Sequence, residues 1–482
     1  MTKQLAFMSA ADLRIMVLKK EISPQELALY FKKRLEKFID LGSTLQIYEN
    51  FNFPKIKKQN NHDSLLFGVP GLRKDNICHV GRITSCASKI LANYKSPYSA
   101  TVIERIEEEG AIILGSCNMD EFGMGSSGEN SAFFKAKNPW DQTRVPGGSS
   151  GGSAVAVSAG LVPWSLGTDT GGSVRQPAAF NGIVGLKPTY GSISRYGLIA
   201  HSSSLDHIGI FTRTVLDNSL VYRIIAGHDF NDPTSLAIPV DNSDITKLPQ
   251  NLTLGYIDID LYSELVDPEI QKAFEAMLKV YENLGVKLKK IKLASLDYSL
   301  AAYLVITRAE AASNLARFDG VRYGLRINEN SLDKMYSQTR HEGFGQEVRL
   351  RIITGNYFIS SIHNNEFYRN AKNVQLFIKN EIKELLNTVD AFLLPVHAGT
   401  AFKFGTFAEN SFQMDLQIYF NCFVNLAGVP SLALPCGISS DNLPIGFQIV
   451  STHGEENLLF RLGHAYEKET PWHLMHPPGF ED

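Results

Sequence analysis

The stretch PGGSSGGSAVAVSAGLVPWSLGTDTGGSVRQPAAFNGIVGLKPTYG, residues 146–191, decides the fold because it joins glycine and serine clusters to an apolar run. A Gly/Ser linker stays mobile since it has nothing to bury, whereas the run AVAVSAGLVPWSLG requires a hydrophobic core. Glycine tolerates positive φ and lets other backbone groups approach closely. The stretch therefore predicts two ordered tight turns around a buried segment, and these turns bring serine hydroxyls together.

The composition excludes several classes of protein. With 482 residues and 44% hydrophobic content, the chain can bury a large core. Its net charge of −3 gives no broad positive field, so this chain alone is not expected to hold a long nucleic acid. Five cysteines without paired metal spacing fit a reducing compartment. Since we find neither a secretory leader nor an apolar run of the roughly 18 residues that a membrane span needs, we expect a cytoplasmic protein without membrane contact.

Alternating helix and strand signals indicate the α/β class. Ser9 and Ser23 each resemble the capping residue of an amphipathic helix, with an acidic residue three positions later. An amphipathic helix then precedes the β-like run Ala111 to Leu114. The last apolar strand segments are DAFLLPV, GVPSLALPCG and PIGFQIV, which predicts that the sheet is completed near the C-terminus.

Several common catalytic motifs are missing or out of context. Residues 123–128 match the G-x-G-x-x-G dinucleotide pattern, but the segment that follows does not begin a helix. The sequence contains no P-loop and no H-E-x-x-H, and it has no G-x-S-x-G that forms an elbow between a strand and a helix. Because the histidines are scattered, we expect no metal site and no histidine base for the serines.

A serine nucleophile without a histidine needs another base, and a lysine kept neutral by desolvation can serve. Lys74, in GVPGLRKDNI, lies between a strand-like segment and a turn rather than on a solvated helix face. Gly171 and Gly172 precede Ser173 and would let successive backbone N–H groups point at one atom, as in an oxyanion hole. These residues predict a Ser/Lys site.

The segments GGSSGGSA, GTDTGGSVRQPAAFNGIVGLKPTYG and VPGLRKDNI resemble the amidase signature family. The resemblance implies that Ser173 is the acyl-forming nucleophile, that Ser149 bridges through a cis peptide bond at Gly148-Ser149, and that Lys74 is the base. It also implies an oxyanion hole made of the backbone N–H groups of Thr170, Gly171, Gly172 and Ser173.

The family resemblance implies an amidase-signature fold, in which a large mixed β-sheet core is covered by helices on both faces. We expect one amidase domain over residues 1–482. Within it, we expect an N-terminal helical segment at about 9–40 and the signature core at about 65–220.

Further segments narrow the resemblance to one branch of the family, the A subunits of tRNA-dependent amidotransferases. They are MGSSGENSAF, RAEAASNLARFDGVRYG, GFGQEVRLRI, NLAGVPSLALPCG and HAYEKETPWHLMHP. That branch implies glutamine hydrolysis with release of ammonia, B and C subunits as partners, and tRNA bound through the B subunit. No cofactor is expected in this chain, and ATP and Mg are expected only in a partner subunit.

Three residues are expected to bind the substrate. Arg351 matches the family arginine that grips the glutamine carboxylate, and Tyr303 is a second match. Where the A subunits have an aspartate for the α-amino group, this chain has Ile418. Asp415, three positions earlier, would replace that aspartate if the segment is helical, because residues i and i+3 then share a face.

Two alternatives to an amidotransferase role are open. A stand-alone amidase acting on another carboxamide is motivated by Ile418 and by PVHAG at residues 395–399, where the A subunits differ. A non-catalytic assembly protein is disfavoured by the presence of Lys74, Ser149 and Ser173 together.

Overall fold

A computed structural model describes residues 5–51, 53 and 64–481 of the chain. The strands of this part of the chain are β1 Thr44–Ile47, β2 Pro70–Lys74, β3 Ile112–Cys117, β4 Trp164–Asp169, β5 Val184–Lys187, β6 His207–Thr212, β7 Thr253–Ile257, β8 Lys287–Ile291, β9 Ala391–Pro395, β10 Ser431–Ile438 and β11 Pro444–Ser451. Its α-helices are α1 Ala10–Leu18, α2 Pro24–Lys37, α3 Thr101–Glu108, α4 Gly151–Ser158, α5 Arg175–Asn181, α6 Val215–Ile225, α7 Pro268–Asn283, α8 Leu296–Asn314, α9 Leu332–Gly343, α10 Gln346–Phe358, α11 Glu366–Leu386, α12 Ser411–Leu416, α13 Cys422–Ala427 and α14 Glu456–Glu469.

These strands form one 11-stranded sheet in the order β1-β3-β2-β4-β6-β5-β10-β11-β9-β7-β8. Pairing is mixed, since β2 runs parallel to β3 and β4, whereas β4, β6, β5, β10, β11 and β9 pair antiparallel in succession. The edge strand β8 reads KLKKI and exposes all three of its lysines, which discourages pairing with another chain. The predicted mixed sheet of the α/β class is confirmed.

Helices cover both faces of this sheet. On one face, the Cβ position of Gly463 in α14 lies 2.9 Å from Leu432, and Tyr466 of the same helix packs against Phe447 with ring centroids 4.9 Å apart. On the other face, the Cβ position of Gly185 lies 2.6 Å from Ala178 in α5. Because successive strand residues point to opposite faces, the two helices lie on opposite sides of the sheet, as predicted.

The Gly/Ser-rich stretch is ordered and buried. It forms α4, β4 and α5, and all residues of these three elements are buried. The peptide bond between Gly148 and Ser149 is cis, as the family resemblance implied.

The N-terminal helices begin where the capping signals predicted. The Ser9 hydroxyl accepts the Asp12 N–H ahead of α1, and Ser23 with Glu26 forms a complete capping box ahead of α2. The assignment of residues 1–482 to one domain, with segments at about 9–40 and 65–220, stays a prediction. None of the helices in residues 5–51, 53 and 64–481 combines the length and apolar character needed to cross a membrane.

Replacing Gly71 in β2 with alanine should lower the free energy of unfolding by about 1–3 kcal/mol, the usual cost of overpacking a core. A Cβ at Gly71 would lie 2.2 Å from Cε2 of Trp164, whose ring is fully buried in β4 and has no room to move. Chemical denaturation measures this effect. Gly399→Ala is the matched control, because nothing lies within 4 Å of its Cβ position. Equal stability of the two variants would contradict the packing seen here.

Candidate active site

Lys74 is the last residue of β2, and its side chain ends among three hydroxyl groups. Its Nζ lies 2.7 Å from Ser149 Oγ, 2.8 Å from Ser150 Oγ and 2.8 Å from Thr168 Oγ1. The whole side chain is buried. Among the described residues, no carboxylate lies within ion-pair distance of this amine, so hydroxyl oxygens replace its hydration.

Burial lowers the pKa of Lys74 to about 7, although the negative charges of Asp120, Asp169 and Asp206 oppose that shift. Desolvation penalises the ammonium form, and hydroxyl groups compensate a buried cation less than a carboxylate would. A substantial fraction of Lys74 is therefore neutral at physiological pH. This is the state that a proton acceptor requires.

The two predicted serines are neighbours through the backbone. The N–H of Ser150, directly after Ser149, donates to the carbonyl of Ser173 at 3.3 Å. The Ser149 carbonyl in turn accepts the N–H of Asp120 at 3.1 Å. Ser173 is 7% exposed. The structure thus gathers Lys74, Ser149 and Ser173 into one cluster, while their chemical roles stay predictions.

The turn that carries Ser173 is held by the carboxylate of Asp169. This carboxylate accepts the N–H groups of Gly172 at 2.8 Å and Val174 at 3.0 Å, and it is bound by Arg175 through Nε and Nη2, each at 3.1 Å. Burial alone would raise the pKa of Asp169, but the guanidinium of Arg175 holds it well below its usual range.

The predicted oxyanion hole is wrong in one donor, the N–H of Gly172. The N–H of Gly172 is already used by Asp169, so it is not free to stabilise a negative oxygen. The other predicted groups are the N–H groups of Thr170, Gly171 and Ser173. The Thr170 hydroxyl donates to Asp206 at 2.7 Å, which fixes the start of the turn.

Glycine is required in this turn because other side chains cover its backbone. The Cβ position of Gly171 lies 2.5 Å from Tyr303 Oη, and that of Gly172, where φ is +121°, lies 2.7 Å from Asn421 Cβ. Asn421 also donates from Nδ2 to the Val396 carbonyl at 2.8 Å. The segment at residues 395–399 therefore bears on the site through Asn421.

A histidine that the sequence did not reveal lies beside this cluster. The Cβ position of Gly123 is 3.6 Å from Ser149 Oγ and 3.9 Å from His201 Nδ1. Burial, followed by the positive charges of Arg351 and Lys74, lowers the pKa of His201 well below its usual value. Neither ring nitrogen has a hydrogen-bond partner among the described residues, so His201 is neutral and is not bonded to the serines. No motif spacing pointed to it, because it lies in a loop.

A charged cleft of about 300 Å³ contains two of the predicted substrate-binding residues, Arg351 and Asp415. Arg351 donates from Nε to Glu347 at 2.7 Å, and Asp415 accepts Nη2 of Arg308 at 3.0 Å. The charged residues of the cleft are Glu129, Lys135, Arg308, Glu347, Arg351 and Asp415. Tyr303 does not line this cleft but is buried over Gly171, and burial raises its pKa.

Asp415 and Ile418 do not lie on one helix face as the sequence predicted. Asp415 belongs to α12, but this helix ends at Leu416, so the two positions do not share a helix face. Ile418 is 9% exposed and packs in the hydrophobic core, whereas Asp415 lines the cleft. Asp415 therefore supplies a carboxylate where Ile418 cannot.

Among the described residues, we find no group of three His, Cys, Asp or Glu side chains that could hold a metal ion.

Residues 52–460 match the family model of the amidases, so the chain belongs to the amidase family. It is 43% identical to the A subunit of the glutamyl-tRNA(Gln) amidotransferase of Thermodesulfovibrio yellowstonii, over 96% of this chain and 97% of the relative. Within the amidases, the chain thus belongs to the amidotransferase A subunits.

Solved structures agree with this assignment. The A subunit of the glutamyl-tRNA(Gln) amidotransferase of Thermotoga maritima superposes with a TM-score of 0.82 at 37% identity, covering 98% of this chain and 96% of that one. A 6-aminohexanoate cyclic dimer hydrolase superposes with a TM-score of 0.83, covering 98% and 99% of the two chains, at only 24% identity. That second likeness shows the fold alone.

Amide hydrolysis should rise with pH and reach half of its plateau near pH 7. Lys74 must be neutral to accept a proton, and its pKa is lowered to about 7, so kcat/KM should fall about tenfold per pH unit below that point. Initial rates between pH 5.5 and 9 measure this profile. A kcat/KM that still rises about tenfold per pH unit up to pH 9, as an ordinary lysine pKa of about 10 requires, would contradict the burial of a working base. Lys74→Arg, which keeps the charge but cannot act as a base, should be inactive throughout.

Proposed function

We propose that this chain hydrolyses glutamine and releases ammonia as the A subunit of a tRNA-dependent amidotransferase. The observation that carries this proposal is the buried Lys74 amine, hydrogen-bonded to Ser149 at 2.7 Å beside the turn of Ser173. Such a site suits acyl transfer by a serine whose proton passes to a neutral lysine. Membership in the A-subunit family supports the choice of glutamine as the amide.

In the first half of the proposed reaction, Ser173 Oγ attacks the carbonyl carbon of the side-chain amide. The Ser173 proton passes to Ser149 Oγ while the proton of Ser149 passes to Lys74 Nζ. Backbone N–H groups of Thr170, Gly171 and Ser173 stabilise the negative oxygen that forms. This arrangement is preorganised, because Asp169 and Asp206 hold both ends of the turn.

In the second half, the C–N bond breaks and the leaving nitrogen takes a proton that returns from Lys74 through Ser149. Ammonia departs and leaves an ester between the substrate acyl group and Ser173. Water then attacks the ester and gives up a proton by the same route, which releases glutamate and restores the serine. The single base thus serves both steps.

The cleft suits the two charged ends of an amino acid. Arg351 bonds to Glu347 through Nε, and its two Nη groups have no protein partner among the described residues, so they can grip an α-carboxylate. Asp415 supplies a negative charge for the α-ammonium in the same cleft. Tyr303, over Gly171, would border the side chain of the substrate, which runs from the α-carbon to the amide carbonyl.

We further propose that B and C subunits are the partners of this chain. The B subunit would hold the tRNA and, with ATP and Mg, would use the ammonia. The near-neutral charge of this chain supports such a division, since a tRNA-binding surface needs positive charge. The five free, buried cysteines support a cytoplasmic location.

Ser173→Ala should abolish glutamine hydrolysis and leave the fold intact, because it removes the attacking oxygen and little volume. Ammonia release is the assay, and circular dichroism checks the fold. A phosphonylating probe should label Ser173 in the native chain, as mapped by peptide mass spectrometry. Ser440→Ala, at an exposed turn, is the matched control and should behave as the native chain. Labelling of a cysteine, or activity in Ser173→Ala, would refute the proposed mechanism.

A stand-alone amidase is the second candidate, because Ile418 lies in the core and Asp415 is already paired with Arg308. Such an enzyme would hydrolyse uncharged amides well and glutamine poorly. Comparing glutamine with a simple fatty amide, with and without B and C subunits, separates the two candidates. The amidotransferase role is supported if the chain prefers glutamine and if the B and C subunits change its rate of glutamine hydrolysis.

A further inference from the structure

Arg308 and Asp415 form an ion pair inside the cleft, between elements that are far apart in the sequence. Arg308 lies on α8 and Asp415 on α12, and Nη2 of the arginine lies 3.0 Å from Oδ2 of the aspartate. Their side chains are only 17% and 14% exposed. Both residues line the same cleft as Arg351, so the pair is not an ordinary surface salt bridge.

The position of Arg308 is fixed by close packing of α8 against α10. A Cβ at Gly355 in α10 would lie 1.9 Å from the Arg308 carbonyl, so the two helices touch through their backbones at this point. Gly355 lies one turn beyond Arg351 on the same helix. The packing therefore fixes the backbone positions from which the side chains of Arg308 and Arg351 enter the cleft.

The carboxylate of Asp415 depends on these cations to stay charged. Burial raises its pKa, whereas the positive charges of Arg351 and Arg308 lower it and the negative charge of Glu347 opposes them. Lys135 and Glu129 are the other charged residues of the cleft, and they pair with each other at 3.3 Å. Arg308 is the only one of these cations bonded directly to Asp415 among the described residues.

We propose that Arg308 is a positioning residue for substrate selection, which holds the Asp415 carboxylate in the cleft as the acceptor for the α-ammonium group. This inference rests on the proposed function. Position 418 faces the core and cannot serve, so Arg308 and Asp415 together form the ammonium site of this chain. Arg308 acts through Asp415 and does not touch the reacting atoms.

The test compares glutamine with glutaramate, which is glutamine without its α-amino group. In Arg308→Gln, the ratio of KM for glutamine to KM for glutaramate should rise about tenfold or more, since a charge-assisted bond is lost. Asp415→Asn should raise the same ratio, and the double variant should be no worse than Asp415→Asn alone. Arg308→Lys, which keeps the charge, should retain most of the selectivity and also guards against a failure to fold.

Arg322→Gln is the matched control, because it removes an arginine that pairs with Asp319 at 3.8 Å but is 63% exposed. This variant should leave the KM ratio and kcat unchanged. The inference is overturned if Arg308→Gln raises both KM values equally, lowers the ratio, or adds its effect to that of Asp415→Asn. If the native chain hydrolyses neither substrate, the proposed glutaminase function fails instead. If it hydrolyses both equally well, the amino group is not recognised and only this inference fails.

Discussion

The structure depends on the burial of one amine. Lys74, at the end of β2, holds its Nζ in a fully buried position where hydroxyl oxygens surround it. Burial of an unpaired ammonium costs several kcal/mol, so it raises the population of the neutral amine at physiological pH. A salt bridge to Lys74 would restore the charged form, which cannot accept a proton. The hydroxyl groups of Ser149, Ser150 and Thr168 thus bind the amine without fixing its charge.

A second constraint keeps the serines in place around this amine. The Asp169–Arg175 pair is fully buried, and such a pair is stable only when its remaining lone pairs and protons are satisfied. Asp169 satisfies them with N–H groups of the turn that carries Ser173, and Arg175 with Asn425 Oδ1 at 2.6 Å and Gln448 Oε1 at 2.9 Å. The ion pair therefore connects the turn to α13 and β11. The backbone geometry of the site is tied in this way to the C-terminal half of the sheet.

Short motifs and local periodicity in the sequence predicted those features of the structure that depend on neighbouring residues. Neighbouring residues predict the capped helices after Ser9 and Ser23 and the buried Gly/Ser stretch. Family motifs predict the cluster of Lys74 with Ser149. It did not predict the partners Ser150 and Thr168, the neighbouring His201, or the Arg308–Asp415 pair, because these contacts join segments that only the folded chain brings together. The end of α12 at Leu416 was also unpredicted, and that single turn decides which side chains face the cleft.

The free-energy cost of burying an unpaired charge explains the residue types at positions 308, 415 and 418. A carboxylate at position 418 in this backbone would be buried among apolar side chains, so isoleucine is the residue that fits there. A carboxylate at position 415 reaches the cleft, but its burial demands a cation, which Arg308 supplies. The cleft then holds three acidic and three basic side chains, so its formal charge is balanced. A zwitterionic amino acid also carries one charge of each sign, so it can enter such a cleft without changing the net charge.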